Sequence, residues 1–114
     1  MLHELKIYQK MYDLILYAFP IINKMPRNSR FTLGQKIIDE MLEIAMMISW
    51  ANRERDKRRT LWEIDGKLDQ LRLLIRLAKD LTLLNYQSYG QMSERITEIG
   101  RLLGGWTKTC TGQG

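Results

Sequence analysis

The side chains capable of nucleophilic or acid–base chemistry are few in this sequence and poorly placed for it. The single histidine, His3, and the single cysteine, Cys110, stand near opposite ends, so a Cys–His nucleophile pair would require both ends to meet in a fixed geometry. Glu40 with Glu43, and Glu94 with Glu98, fall at helical spacing, where carboxylates are ordinarily solvated or paired with neighbouring Lys and Arg. The Glu-x-x-His pairs that hold di-iron centres in helical bundles are missing, as is a glycine-rich phosphate loop following a strand. The expectation is a protein that is not an enzyme and uses neither metal nor cofactor.

What the sequence does offer is positive charge. The net charge of +5 is uneven: +1 over residues 1–52, +3 over 53–59, 0 over 60–90 and +1 over 91–114. The segment RERDKRR sets Arg53, Arg55, Lys57, Arg58 and Arg59 against Glu54 and Asp56. A second basic feature lies in QLRLLIRLAKDL, where Arg72, Arg76 and Lys79 follow at spacings of four and three, on one helix face. Both are candidates for tracking a phosphate backbone, RNA or DNA. The plain alternative is a solvated loop for the first, and for the second local pairing of Asp69 with Arg72 and of Asp80 with Arg76. Among the tyrosines, Tyr8 and Tyr12 fall at core or interface spacing, whereas Tyr86 and Tyr89 fall in an expected turn, free to stack on bases.

These groups must be positioned by helices. The length of 114 residues suits one domain, 1–114, with a single core. The longest apolar run, 14–22, contains a proline and is too short to span a bilayer. Glu4, Lys6, Lys10 and Asp13 occupy the stretch that a signal peptide keeps apolar, and a lone cysteine suits a reducing compartment, so a cytoplasmic location is expected.

Four segments show helical periodicity and none alternates as a half-buried strand does. The spacing predicts a first helix from near His3, carrying Leu5, Tyr8, Tyr12, Ile15, Phe19 and Ile22 at steps of three or four residues, with Pro20 kinking or interrupting it. After a turn at NKMPRNSR, a second helix over 30–52 buries Leu33, Ile37, Met41, Ile44, Ile48 and Ala51. Thr60 is a candidate cap for a third helix running to Leu84 with Leu61, Ile64, Leu68, Leu71, Ile75 and Ala78 inside. NYQSYGQ reads as a turn before a fourth helix with Met92, Ile96, Ile99, Leu102, Leu103 and Trp106, and 108–114 reads as a frayed tail.

The fold class expected is all-α, an up-down-up-down four-helix bundle. Additional apolar positions, Ile38, Leu42, Ala45, Met47 and Trp50 on the second helix and Leu74, Leu77, Leu81 and Leu84 on the third, exceed what one core needs and suggest an oligomer interface. In EIGRLLGGWTKTC, Gly100 and Gly104 stack on one face, a flat strip suited to close approach of another helix, with Leu103 and Trp106 beside it.

LILYAFPIINKMPRNSRFTLGQKI, LRLLIRLAKDL and ITEIGRLLGGW together resemble the Avd proteins, the accessory variability determinants of diversity-generating retroelements. These are related to four-helix proteins encoded in intervening sequences of 23S ribosomal RNA genes. The resemblance implies a non-catalytic bacterial or phage protein, a four-helix bundle assembling as a homopentamer with a central pore. Its basic surface would bind the retroelement's reverse transcriptase and nucleic acid, supporting mutagenic copying of a template RNA into cDNA. Arg72 and Arg76 match the family's partner-binding arginines of the third helix, whereas 53–59 matches no family motif. Kinship with the intervening-sequence proteins would instead imply a structural, interaction role.

Overall fold

The computed structural model describes the backbone of residues 2–110 and the side chains of residues 6–110. The expectations placed on the His3 and Leu5 side chains and on 111–114 lie outside the described residues. The described chain is helical, with no strand, and forms four helices: α1 (Leu2–Asn23), α2 (27–53), α3 (Arg58–Asp80) and α4 (Tyr86–Cys110). The connections of three, four and five residues at 24–26, 54–57 and 81–85 force neighbouring helices to run antiparallel. Each helix packs on its neighbours in sequence, and α4 closes the square against α1. The bundle measures 46 × 22 × 20 Å, one helix length long and two helix diameters across.

The core of α2, α3 and α4 follows the periodicity. Ile37, Met41, Ile44, Ile48 and Ala51 meet Leu61, Ile64, Leu68, Leu71, Ile75 and Ala78 across one side, and Met92, Ile96, Ile99, Leu103 and Trp106 complete it. In α1 the buried row is Ile7, Met11, Leu14, Ala18 and Ile22, while Tyr8, Tyr12 and Phe19 face out and Ile15 is half-buried. Two rows at three- and four-residue spacing were available in α1. The wholly apolar one is inside because a tyrosine hydroxyl in a dry bundle needs a partner that the facing Ile, Leu and Met residues cannot supply. Pro20 occupies an exposed position in the last turn, and the helix continues past it to Asn23.

Four helix ends depart from the sequence reading. The second helix opens with Arg27–Ser29, passes through a π-helical turn at Arg30–Gly34 and is α-helical over Gln35–Arg53. There the Gln35 N–H reaches the Arg30 carbonyl five residues back. Gly34 is what lets this turn press on α1, since a Cβ there would lie 3.0 Å from Ile22 Cγ2 and 3.3 Å from Met25 Sδ.

Thr60 does not cap α3 but lies buried within its first turn. Asp56 instead accepts the Arg58 backbone N–H at 3.2 Å.

At the far end α3 stops at Asp80, not Leu84, in a Schellman arrangement: the Leu83 N–H donates to the Ala78 carbonyl and the Thr82 N–H to that of Lys79. Thr82 stands at φ 61 where glycine is usual. Asn85 then caps α4, its Oδ1 accepting the Ser88 N–H at 2.7 Å, so Tyr86 and Tyr89 belong to a helix and not to a turn.

Candidate nucleic-acid interface

Arg72, Arg76 and Lys79 project from the side of α3 that faces α4, and α4 answers with Tyr89, Ser93, Thr97 and Gly100. Arg72, Leu73, Ile75, Arg76, Tyr89, Ser93 and Thr97 line an open groove of about 340 Å³ between the helices. Its outer wall is guanidinium and its other wall hydroxyl, an arrangement of donors suited to phosphate oxygens.

Gly100 serves this groove. A Cβ there would come within 2.9 Å of the Arg72 Nη2, so the glycine makes room for a guanidinium lying across α4. The flat strip read from the sequence thus receives a side chain of the same subunit at Gly100. Gly104 has open space over it. Leu103 and Trp106 point into the core of their own bundle.

The expected carboxylate pairings are present and differ in strength. Arg72 Nη1 donates to Asp69 at 2.6 Å, whereas Arg76 Nε and Asp80 stand 3.9 Å apart, beyond hydrogen-bond reach, with the Arg76 side chain 71% exposed. Surface pairs of this kind contribute little and exchange readily for another anion. Lys79 is held differently, 4.6 Å from the centre of the Tyr89 ring and 5.8 Å from that of Tyr86, with Asp80 at 3.3 Å. Tyr89 is thereby partly covered, while Tyr86 stays 82% exposed.

The 53–59 cluster sits at the opposite end of the bundle. Arg58 and Arg72 are fourteen residues apart on α3, about 21 Å at 1.5 Å per residue, and Asp65 and Asp69 lie between them. The two basic features therefore do not adjoin. Within the cluster, Arg58 donates Nε and Nη2 to the two oxygens of Asp56, each at 2.9 Å. These bonds, and the backbone N–H of Arg58, hold the Asp56 carboxyl at about 2. Arg59 reaches Glu63 at 3.3 Å, and Lys57 Nζ donates to the Glu54 carbonyl. Arg53 and Arg55 are exposed and make no ion pair among the described residues.

Two carboxylates of α2 serve packing: Glu43 accepts a hydrogen bond from Lys67 of α3 at 3.0 Å and Glu40, 2% exposed, stands 3.8 Å from the same ammonium, and the bond to Glu43 with the charge of Glu40 raises the lysine pKa. Among the described residues no three His, Cys, Asp or Glu side chains gather as metal ligands, and no helix is long and apolar enough to cross a membrane.

Sequence reasoning passed over one basic region. The +1 of residues 1–52 conceals +4 over 14–38 against −3 over 39–52: Lys24, Arg27, Arg30 and Lys36 share a stretch with no Asp or Glu. A narrower charge window would have exposed it. This region lies at the same end of the bundle as Lys79, because Lys24, Met25 and Pro26 line one depression with Thr82, Leu83, Leu84 and Asn85.

Residues 5–110 match the family described as bAvd-like, in agreement with the resemblance read from the sequence. No curated protein matches the chain.

Proposed function

The chain belongs to the bAvd-like family, and on that premise we propose that it is a non-catalytic accessory protein of a diversity-generating retroelement. In this reading it binds the element's reverse transcriptase and its template RNA or cDNA through a basic surface. The observation that carries it is the α3–α4 groove, where Arg72 and Arg76 face Ser93 and Thr97 across room for a phosphate. Arg53 and Arg55 at the far end add longer-range attraction.

The protein acts as a homopentamer in this proposal. Each bundle leaves apolar side chains uncovered on its α2 and α3 faces: Leu42, Met46 and Trp50 on one, Trp62, Leu73, Leu77 and Leu81 on the other, with Trp62 76% exposed. Exposed apolar rows of this kind on two adjacent helices support the reading, since large apolar patches commonly belong to protein–protein contacts. Of the positions the sequence suggested for such a contact, Ile38 and Leu84 are buried within the monomer and Leu42, Trp50, Leu77 and Leu81 remain outside. Repetition around a ring would multiply weak phosphate contacts into useful avidity.

The test is binding of the purified protein to single-stranded RNA as a function of salt. Affinity is expected to fall steeply with salt, and Arg72→Ala/Arg76→Ala is expected to lose at least about tenfold while lowering the salt slope. Equal binding by the double variant would remove the groove from the interface.

A further inference from the structure

The start of α2 presents an exposed aromatic ring among arginines that have no carboxylate partner among the described residues. Phe31 is 61% exposed, although phenylalanine is among the residues most often buried. The guanidinium carbons of Arg27 and Arg30 stand 5.6 and 5.3 Å from the centre of its ring. Arg27, Arg30 and Phe31 follow at spacings of three and one, on the first turns of α2.

The local backbone fixes this group in place. Gly34 seats the π-helical turn on Ile22 and Met25. Thr32 Oγ1 donates to the Asn28 carbonyl at 2.9 Å, and Arg30 Nη1 donates to that of Asn23 at 3.2 Å. The single extra residue in a π-helical turn costs regular hydrogen bonding and recurs at functional positions. Among the described residues, the side-chain donors of both arginines make no other hydrogen bond, and neither they nor Lys24 and Lys36 make an ion pair.

We propose that Arg27, Arg30 and Phe31 form a clamp for single-stranded nucleic acid, in which an unpaired base stacks on Phe31 and the two guanidiniums take the flanking phosphates. Three features favour this ligand. A stretch of 25 residues, 14–38, with four cations and no carboxylate attracts a polyanion. An exposed ring offers the sequence-tolerant stacking platform that single strands use, and a duplex keeps its bases inside and offers no face to it. Guanidiniums already lying over an aromatic ring stack on a base as well as donating to phosphate, so the arriving nucleotide replaces a contact of the same kind. The clamp rests on the nucleic-acid reading above and adds a second site to it, with a preference for unpaired strands that the α3–α4 groove does not supply.

The experiment uses the full chain with a short mixed-sequence single-stranded RNA carrying 2-aminopurine, and with a duplex of the same sequence. Phe31→Leu keeps apolar volume at an exposed position, and its thermal melt by circular dichroism checks the fold. The expected result is single-strand binding weakened by about 5- to 50-fold in Phe31→Leu, with loss of the 2-aminopurine quenching and unchanged duplex binding. Phe31→Trp is expected to restore both. Arg27→Gln/Arg30→Gln is expected to weaken single strand and duplex together.

Wild-type quenching and affinity in Phe31→Leu would overturn the clamp. If Arg72→Ala/Arg76→Ala still lost binding, the groove would survive that failure. Absence of binding by the wild-type protein would defeat both. Unchanged RNA binding in Phe31→Leu with loss of a reverse transcriptase from the complex would assign the ring to a protein partner and likewise overturn the clamp.

Discussion

At one end of the bundle five cations crowd into residues 53–59, and at the other four are spread over 14–38. The crowded end is the quieter one. Arg58 is locked on Asp56, Arg59 leans on Glu63 and Lys57 is tied to a backbone carbonyl. The sparse end has no carboxylate within its stretch, and its arginines lie on an exposed ring instead. The charge that a polyanion meets is what remains after local pairing, and a run of mixed charge closes on itself because residues two or four apart reach each other at a helix start.

The largest effect expected from this contrast is on nucleic-acid binding. Replacing Lys24, Arg27 and Arg30 together by Gln should cost at least about tenfold in affinity and flatten the salt dependence. Replacing Arg55, Arg58 and Arg59 by Gln should cost less than about threefold, since Arg58 would have to give up both oxygens of Asp56, and Arg59 its pair with Glu63, before meeting a phosphate. Equal losses from the two triple variants, measured by fluorescence anisotropy at the same salt, would erase the distinction.

Next in size is an internal pairing that matters to stability. Lys67→Met would leave the buried Glu40 carboxylate without its cation and should cost about 1–3 kcal/mol in urea unfolding. Arg59→Met, breaking an exposed pair, should cost no more than about 0.5 kcal/mol.

Two glycine positions sharpen the comparison further. Thr82→Gly, relieving a β-branched residue at φ 61 beside the sparse end, should stabilise the protein by about 1 kcal/mol and leave binding unchanged. Gly104→Ala has open space within the subunit and should gain about 0.5–1 kcal/mol as a monomer. If light scattering shows that the same substitution reduces the assembly's mass, the strip contacts another subunit.

The smallest effect is a titration. The Asp56 carboxyl lies at about 2 in the folded chain against an ordinary 3.8, so its folded value is depressed. The stabilisation from the pair is complete above the ordinary value and is lost as pH falls through about 2, leaving Arg58 neutralised across the whole working range. Carboxyl NMR should place the midpoint there, and Arg58→Ala should move it back toward 3.8.

Most of the architecture was legible because core packing writes itself at three- and four-residue spacing. Leu61 through Ala78 of α3 and Met92, Ile96, Ile99, Leu103 and Trp106 of α4 are inside as the pattern indicates, whereas Leu33 and Leu102, expected with them, are only half-buried. In the first helix two rows share that spacing and meet at Ile22, and only the partners across the bundle decide which of them faces the core. Helix ends were less legible. Asn85 is a cap that looks like a turn residue, and Thr82 closes a Schellman motif without the glycine that normally signals it. Arg72 and Arg76 were visible by their spacing, but the glycine that receives Arg72 was read as a helix contact, since sequence does not say which neighbour fills a gap. Phe31 stands in a segment that carries the family resemblance, but neither its spacing nor its neighbours Arg30 and Thr32 announce a role, and its exposure is visible only in the fold.

The most direct measurement of which surface meets nucleic acid is ultraviolet cross-linking of single-stranded RNA to the intact protein, followed by mass spectrometry of the peptides. The molecule carries its own control, because the peptides of the 53–59 turn lie at the crowded end, whereas Phe31 and Tyr86 stand at the sparse end. Cross-links at Phe31 and Tyr86, with the 53–59 peptides unmodified, are the expected result. Cross-links confined to the 53–59 peptides would place the nucleic acid on the crowded end and contradict it.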